Sequence, residues 1–303
     1  MDRSTPAVLE MGSHSLKVHY RRDSDGVIEK IRFPWSLGHE IYGTGTLSNE
    51  TLEQAESAMR QLRERGFRPD RLRAIATGAL RDSDECEQLR SLLGKRLGLK
   101  IRVLSGREEA SMLAKGYLST SSRLPALLGD IGGGTLELVY LSAEKTILRD
   151  SLPLGAARMY QLGLSGDGER WAQDVVERWI EQNFDEASVL TADEVHCTGG
   201  TVKAAAKMIG NTSFSAKELR SLIDAVQKSG PPLDVLDAPR ARVFLPGLLV
   251  LDELLRHSHA RTMHYTKISV GKVFLEYLLK RPRRDVEAMH LTTIYPDRRR
   301  PSR

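Results

Sequence analysis

The sequence predicts an α/β protein of two lobes with a ligand cleft between them, and three observations carry that prediction. A nine-residue pattern occurs twice, 120 positions apart, as Glu10-Met11-Gly12-Ser13-His14-Ser15-Leu16-Lys17-Val18 and Asp130-Ile131-Gly132-Gly133-Gly134-Thr135-Leu136-Glu137-Leu138. Both copies read acid, apolar, Gly, small, variable, hydroxyl, Leu, charged, aliphatic. A short apolar run precedes each and period-two alternation follows, the pattern of a strand, a tight turn and a returning strand. The same order of strands and helices then follows in each half, and 303 residues suit two domains of roughly 150 each.

In the first half, strands are expected at 7–11, 16–20 and 27–33. Ser48 caps a helix running through Leu52, Ala55, Met59 and Leu62 to Gly66, since its hydroxyl can accept from the unpaired N–H groups of the first turn. A buried strand at 72–77, a helix at 83–97, a strand at 101–104 and a helix at 106–118 follow. Ser119 to Pro125, rich in Ser and Arg and closed by Pro, is the expected boundary. The second half predicts strands at 126–131, 136–142 and 145–153, helices at 156–162 and 168–184, and a strand at 195–198 that runs into Gly199-Gly200-Thr201. Helices at 202–209, 216–228 and 239–256, a strand at 268–270 and a helix at 271–279 complete it. The first lobe is thus expected over 1–118 and the second over 119–285, with the last helix able to pack back on the first lobe. A basic, disordered tail is expected over 286–303.

Each hairpin is a candidate phosphate seat. Gly12, Ser13, His14 and Ser15, like Gly132, Gly133, Gly134 and Thr135, let the backbone approach an anion, so that successive N–H groups form a concave nest while the hydroxyl adds a donor. The acid closing each strand, Glu10 or Asp130, can hold a metal ion or its water. The bland alternative for a glycine triplet after a strand is an ordinary turn. Two aligned copies, each with an acid at the same place, favour phosphate.

Composition narrows the classes. The apolar fraction of 40% supports packed cores, and a net charge of +5 suits a polyanion without singling out nucleic acid, for which no motif or aromatic platform is present. Much of the positive excess lies in Lys280-Arg281-Pro282-Arg283-Arg284 and Arg298 to Arg303. Cys86 and Cys197 lack metal-ligand spacing, which points to a reducing cytoplasm. No apolar signal core opens the chain, and the most apolar stretch, 244–255, is broken by Pro246, Gly247, Asp252 and Glu253, so secretion and membrane spanning are not expected.

With these residues laid out, the chain resembles the exopolyphosphatase and guanosine pentaphosphate phosphohydrolase family, within the actin, sugar kinase and Hsp70 superfamily. The likeness rests on Glu10 to Ser15, Ala76-Thr77-Gly78-Ala79-Leu80-Arg81, Ser105-Gly106-Arg107-Glu108-Glu109-Ala110, Asp130 to Glu137 and Thr198-Gly199-Gly200-Thr201, with Val243 to Gly247 and Ile268 to Gly271 in support. The resemblance implies two actin-like (ribonuclease H-like) lobes and a Mg²⁺-dependent hydrolase that releases terminal phosphate from polyphosphate or guanosine pentaphosphate. It further implies that Glu109, Asp130 and Glu137 are catalytic, that Asp130, Glu137 and Glu10 attend the metal, and that Arg81, Gly199, Gly200 and Thr201 join the hairpins in binding phosphate. A homodimer is compatible with it.

Each role has a plainer competitor. Glu109 falls in a first helical turn, where the dipole alone favours an acid. Arg81 could pair with Asp82 or Asp84, and Glu137 could be a solvated strand residue. The first hairpin also departs from the family pattern, with Glu10 in place of Asp and His14 in place of Asn. In the second, Thr135-Leu136 stands where Ser-Thr is usual, and Ser269 to Tyr277 lacks the usual Arg and second Gly. A catalytically weak nucleotide or polyphosphate sensor is therefore the alternative to an enzyme, and a kinase-like transferase a third reading.

Overall fold

The computed structural model describes residues 6–121, 123–142, 147–164, 173–185, 192–233 and 236–280. The expected tail over 286–303, most of the basic run beginning at Lys280 and the start of the 168–184 helix lie outside the described residues.

The first half folds as β1 (Ala7–Met11), β2 (Ser15–Arg21), β3 (Ile28–Pro34), α1 (Leu37–Gly43), α2 (Asn49–Glu64), β4 (Leu72–Ala76), α3 (Gly78–Arg81), α4 (Cys86–Leu97), β5 (Ile101–Val103) and α5 (Gly106–Leu118). Its sheet has the order β3-β2-β1-β4-β5, antiparallel through β3, β2 and β1 and parallel beyond. β1 is central, which explains its unbroken apolar run up to the acid. Ser48 Oγ accepts from Thr51 N–H at 3.2 Å and starts α2 as expected.

The second half contains β6 (Ala126–Ile131), β7 (Leu136–Leu141), β8 (Ile147–Leu152), α6 (Ala156–Gly163), α7 (Gln173–Asp185), β9 (Glu194–Gly199), α8 (Gly200–Ile209), β10 (Ser213–Ser215), α9 (Ala216–Ser229), α10 (Ala238–Ser258), β11 (Thr262–Tyr265) and α11 (Val270–Leu279). Its sheet runs β10-β11-β9-β6-β7-β8, the first sheet's order with one antiparallel strand added at the edge.

One expected strand is misplaced. The strand predicted at 268–270 is instead Thr262–Tyr265, which pairs in parallel with β9, while Ser269 is already the cap residue of α11. Ile-Ser-Val reads as extended because it is β-branched and apolar, but Ile268 earns its apolar character by packing beside α5 and β6 rather than in a ladder. The short elements α1, α3 and β10 were not expected, being too brief to show a period.

Two helices sit across the lobes from their neighbours in sequence. α5 lays Ala110, Leu113, Ala114 and Tyr117 on Ala126, Leu128, Val139 and Leu141 of the second sheet. In the opposite sense, Val270, Val273, Phe274 and Leu275 of α11 pack with Val8, Ile75 and Leu104 of the first half. Both helices bring residues to the space between the hairpins. No described helix is long and apolar enough to cross a membrane.

Candidate functional site

The two hairpin turns are built alike. Gly12 N–H donates to Ser15 O at 3.1 Å and Gly132 N–H to Thr135 O at 2.9 Å. Their carbonyls are turned outward and held there. In the first, Trp35 Nε1 donates to Gly12 O at 2.6 Å and Gly38 N–H to Ser13 O at 2.8 Å; in the second, Ala156 N–H donates to Gly132 O at 3.0 Å and Ala157 N–H to Gly133 O at 2.8 Å. Carbonyl and amide of one planar trans peptide point in opposite directions, so the N–H groups of Ser13, His14, Gly133 and Gly134 face away from these supports. The turns also abut. A Cβ on Gly133 would strike Ser13, and one on Gly134 would strike the Tyr42 hydroxyl, which is why glycine is needed there.

Three carboxylates gather beside the second turn. Asp130 and Glu137 are direct cross-strand partners on β6 and β7. Glu109 arrives on α5, whose start is secured by a Ser105–Glu108 capping box. A Cβ on Gly106 would collide with Ser151, so this glycine lets the first turn of α5 close on β8. Ser151 Oγ in turn donates to Glu137 Oε1 at 2.9 Å. Burial and the Glu137 charge push Asp130 up to about 7. The same two causes raise Glu109 well above the usual carboxyl range against the pull of Arg81, and burial raises Glu137.

Arg81, at the end of α3, spans the gap. Nη1 pairs with Glu109 and donates to Leu104 O at 3.1 Å, Nη2 lies 3.5 Å from Thr135 Oγ1 and 3.9 Å from Glu137, and Nε donates to Asp82 Oδ1 at 3.2 Å. The competing reading, a pair with Asp82, thus coexists with placement in the site.

Glu10 is differently situated. Oε1 accepts from Lys17 at 2.5 Å, and Oε2 accepts from Gly271 N–H at 3.0 Å while facing His19 Nε2 at 3.1 Å and Ser269 Oγ at 3.3 Å. Burial alone would raise its carboxyl, but Lys17 and His19 outweigh it and hold the group well below its ordinary value. Burial, with the charges of Arg240 and Arg32, presses His14 down to about 4. Burial lowers Lys30, and the charges of Lys17, Lys203 and Lys267 add to that against the pull of Glu10. These charges come from both halves of the chain.

Gly199 ends β9 beside Ile131, with φ of +112° and no room for a side chain, so only glycine serves there. Gly200 and Thr201 open α8, and Thr201 is buried against Gly247 of α10. The structure therefore brings Glu109, Asp130, Glu137, Arg81 and both turns to one place, with Gly199 at its margin. Sequence reading missed Arg158, Tyr42 and the part of Asp82. Arg158 had one available signal: it follows the third strand after the second hairpin, where the first half places its own hairpin support at Trp35 to Gly38.

Among the described residues no three His, Cys, Asp or Glu side chains enclose a metal. Asp130 and Glu137 provide two buried oxygen donors short of positive charge, which suits Mg²⁺, an ion that keeps several waters and takes one or two carboxylates together with substrate phosphate. Glu10, saturated by protein donors, does not have that character.

Solved structures of similar fold exist. An exopolyphosphatase-like protein superposes with a TM-score of 0.73 at 20% identity, over 89% of this chain and 97% of that one. An exopolyphosphatase from Cytophaga hutchinsonii gives 0.73 at 16% identity, over 90% and 97%. The PPX-GPPA enzyme of Aquifex aeolicus gives 0.66 at 19% identity, over 89% and 97%. At such identities the likeness establishes the fold, which is actin-like. The family model described as the Ppx/GppA phosphatase family matches residues 20–275, nearly the whole of both halves, and the chain belongs to that family.

Proposed function

We propose that the protein is a phosphoanhydride hydrolase that releases terminal phosphate from polyphosphate or guanosine pentaphosphate. The observation that carries this is the facing pair Asp130 and Glu137, joined by Glu109 and Arg81, between two turns whose amides point away from their carbonyl supports. In this reading the amides and Ser13, Ser15 and Thr135 hold phosphoryl oxygens, and Arg81 clamps the transferred group. Glu109 aligns the attacking water and takes its proton, for which it must be ionised. Positive charge opposite Asp130 and Glu137 relieves the repulsion that raises Glu109 and so favours that form. Mg²⁺ held by Asp130 and Glu137 would supply neutralisation of the phosphoryl oxygens. The positive charge that Lys203 and Lys267 bring to Lys30 suits a polyanion.

The test is phosphate release from polyphosphate and guanosine pentaphosphate, with and without Mg²⁺. Glu109→Gln keeps shape and should lower turnover by about 10² or more with binding nearly intact. Near-normal turnover in that variant refutes the role of Glu109. The sensor reading is favoured by the engagement of Glu109 with Arg81 in the closed cleft, and ligand binding without phosphate release by the parent would establish it.

A further inference from the structure

An anion of the protein's own, Asp82, stands at the junction of the two turns. Asp82, next to Arg81, accepts through Oδ1 from Arg81 Nε at 3.2 Å, and through Oδ2 from Arg158 Nη2 at 2.5 Å and from the Tyr42 hydroxyl at 3.2 Å. Arg81 belongs to the first half and Arg158, on α6, to the second. Arg158 is steered by its Nε donating to Gly134 O at 2.9 Å and by the Tyr42 ring, 4.6 Å from its guanidinium. The Tyr42 hydroxyl presses on Gly134 and stands close to Gly78, to which Ser13 Oγ and Thr135 Oγ1 also come near. One carboxylate is thus gripped by two guanidiniums and a phenol, among the turns that the phosphohydrolase reading assigns to phosphate. Two convergent arginines are the donor set that phosphate recruits, while the phenol holds only the carboxylate in place.

We propose that Arg158 is a phosphate ligand contributed by the second half, and that Asp82 is an internal stand-in which an entering phosphate displaces from Arg158 and Tyr42. The proposal rests on the phosphohydrolase reading above. A terminal phosphate brings close to two negative charges against one on the carboxylate, so it can win the exchange. Withdrawal of Tyr42 from Gly134 then clears the second turn.

Methylenebisphosphonate, whose P–C–P link resists hydrolysis, is the probe, titrated calorimetrically into the full-length protein. Asp82→Asn keeps the shape and removes the competing charge, so it should tighten binding about tenfold, while Arg158→Gln should weaken it about tenfold or more. Tyr42→Phe removes only the hydroxyl and should tighten binding about two- to threefold, which supplies a second reading should the Asp82 variant fold poorly. In Asp82→Asn combined with Arg158→Gln the gain should vanish. If Asp82 is merely a tie between the halves, Asp82→Asn and Tyr42→Phe leave affinity unchanged or lower it, and the proposal is overturned while phosphate binding by the parent stands. If neither the parent nor any variant binds, the phosphate reading of the whole site falls with it.

Discussion

Across the ladder of the first hairpin Glu10 faces Lys17, whereas at the matching place in the second Asp130 faces Glu137. The backbone turns close with the same hydrogen bond, so the difference lies in charge alone. Around Glu10 the protein provides Lys17, His19, Ser269 and the Gly271 amide, and the acid sits well below its ordinary pKa. Around Asp130 and Glu137 it provides Arg81, 3.9 Å from Glu137, the Ser151 and Thr135 hydroxyls and the weaker pull of Lys17, yet burial keeps both acids pushed up. The first copy is complete in itself and serves as the dock for α11. The second is short of positive charge, which the proposed Mg²⁺ would supply. A repeated turn therefore need not mean a repeated role.

The largest expected effect is on stability. Lys17→Met would leave Glu10 buried without its principal cation and should cost about 3 kcal/mol, because one partner of a buried pair is removed. Glu137→Gln retains acceptors for Ser151 and Arg81 while removing one of two facing like charges, and in chelator should gain about 1 kcal/mol. Urea unfolding of both variants decides this, and equal losses would erase the contrast.

Next in size is the response to metal. At a hundredfold excess over its dissociation constant, Mg²⁺ should stabilise the parent by about 2.7 kcal/mol. Asp130→Asn or Glu137→Gln should abolish most of that gain. A thermal midpoint indifferent to Mg²⁺ in the parent would remove the second hairpin as a cation site.

The smallest effect concerns pH, where the hairpins should pull in opposite directions. His14, held at about 4 against its usual 6.5, stays neutral in the folded state while the unfolded imidazole charges. Stability should therefore fall by about 1.5 kcal/mol on its account from pH 6.5 to 5, and His14→Asn should remove that fall. Asp130, raised from 3.8 to about 7, binds its proton in the folded state first, so its contribution declines as pH rises across that window. Asp130→Asn should thus tilt the stability profile upward with pH and His14→Asn downward. Identical tilts would show that neither environment is as described.

Much of the scaffold was legible in advance for local reasons. The 120-residue spacing, alternation on the returning strands and the Ser48 cap are written in neighbouring residues. What escaped notice was either too short or settled at a distance. α1 spans seven residues and is held where Gly38 donates to Ser13. The strand expected at 268–270 failed because an apolar β-branched run looks the same whether it pairs in a ladder or packs on a helix. Arg158 meets Asp82 across 76 positions, and no periodicity records such a meeting.

By itself the sequence determined the two hairpins, the order of elements around them and the acids, arginine and glycines offered for chemistry, because turns, caps and periodicity depend on residues close in the chain. The tertiary structure alone decided that α5 lies on the second sheet, and it realised the packing of α11 against the first half that the sequence had left open, since a helix's apolar stripe states that it will be buried but not against what. It also decided which acid would be neutralised, because a carboxylate's charge state depends on every group packed around it. Glu10 and Asp130 hold equivalent places in the pattern, and only the folded chain brings Ser269 and the Gly271 amide to the first and Arg81 beside the partner of the second.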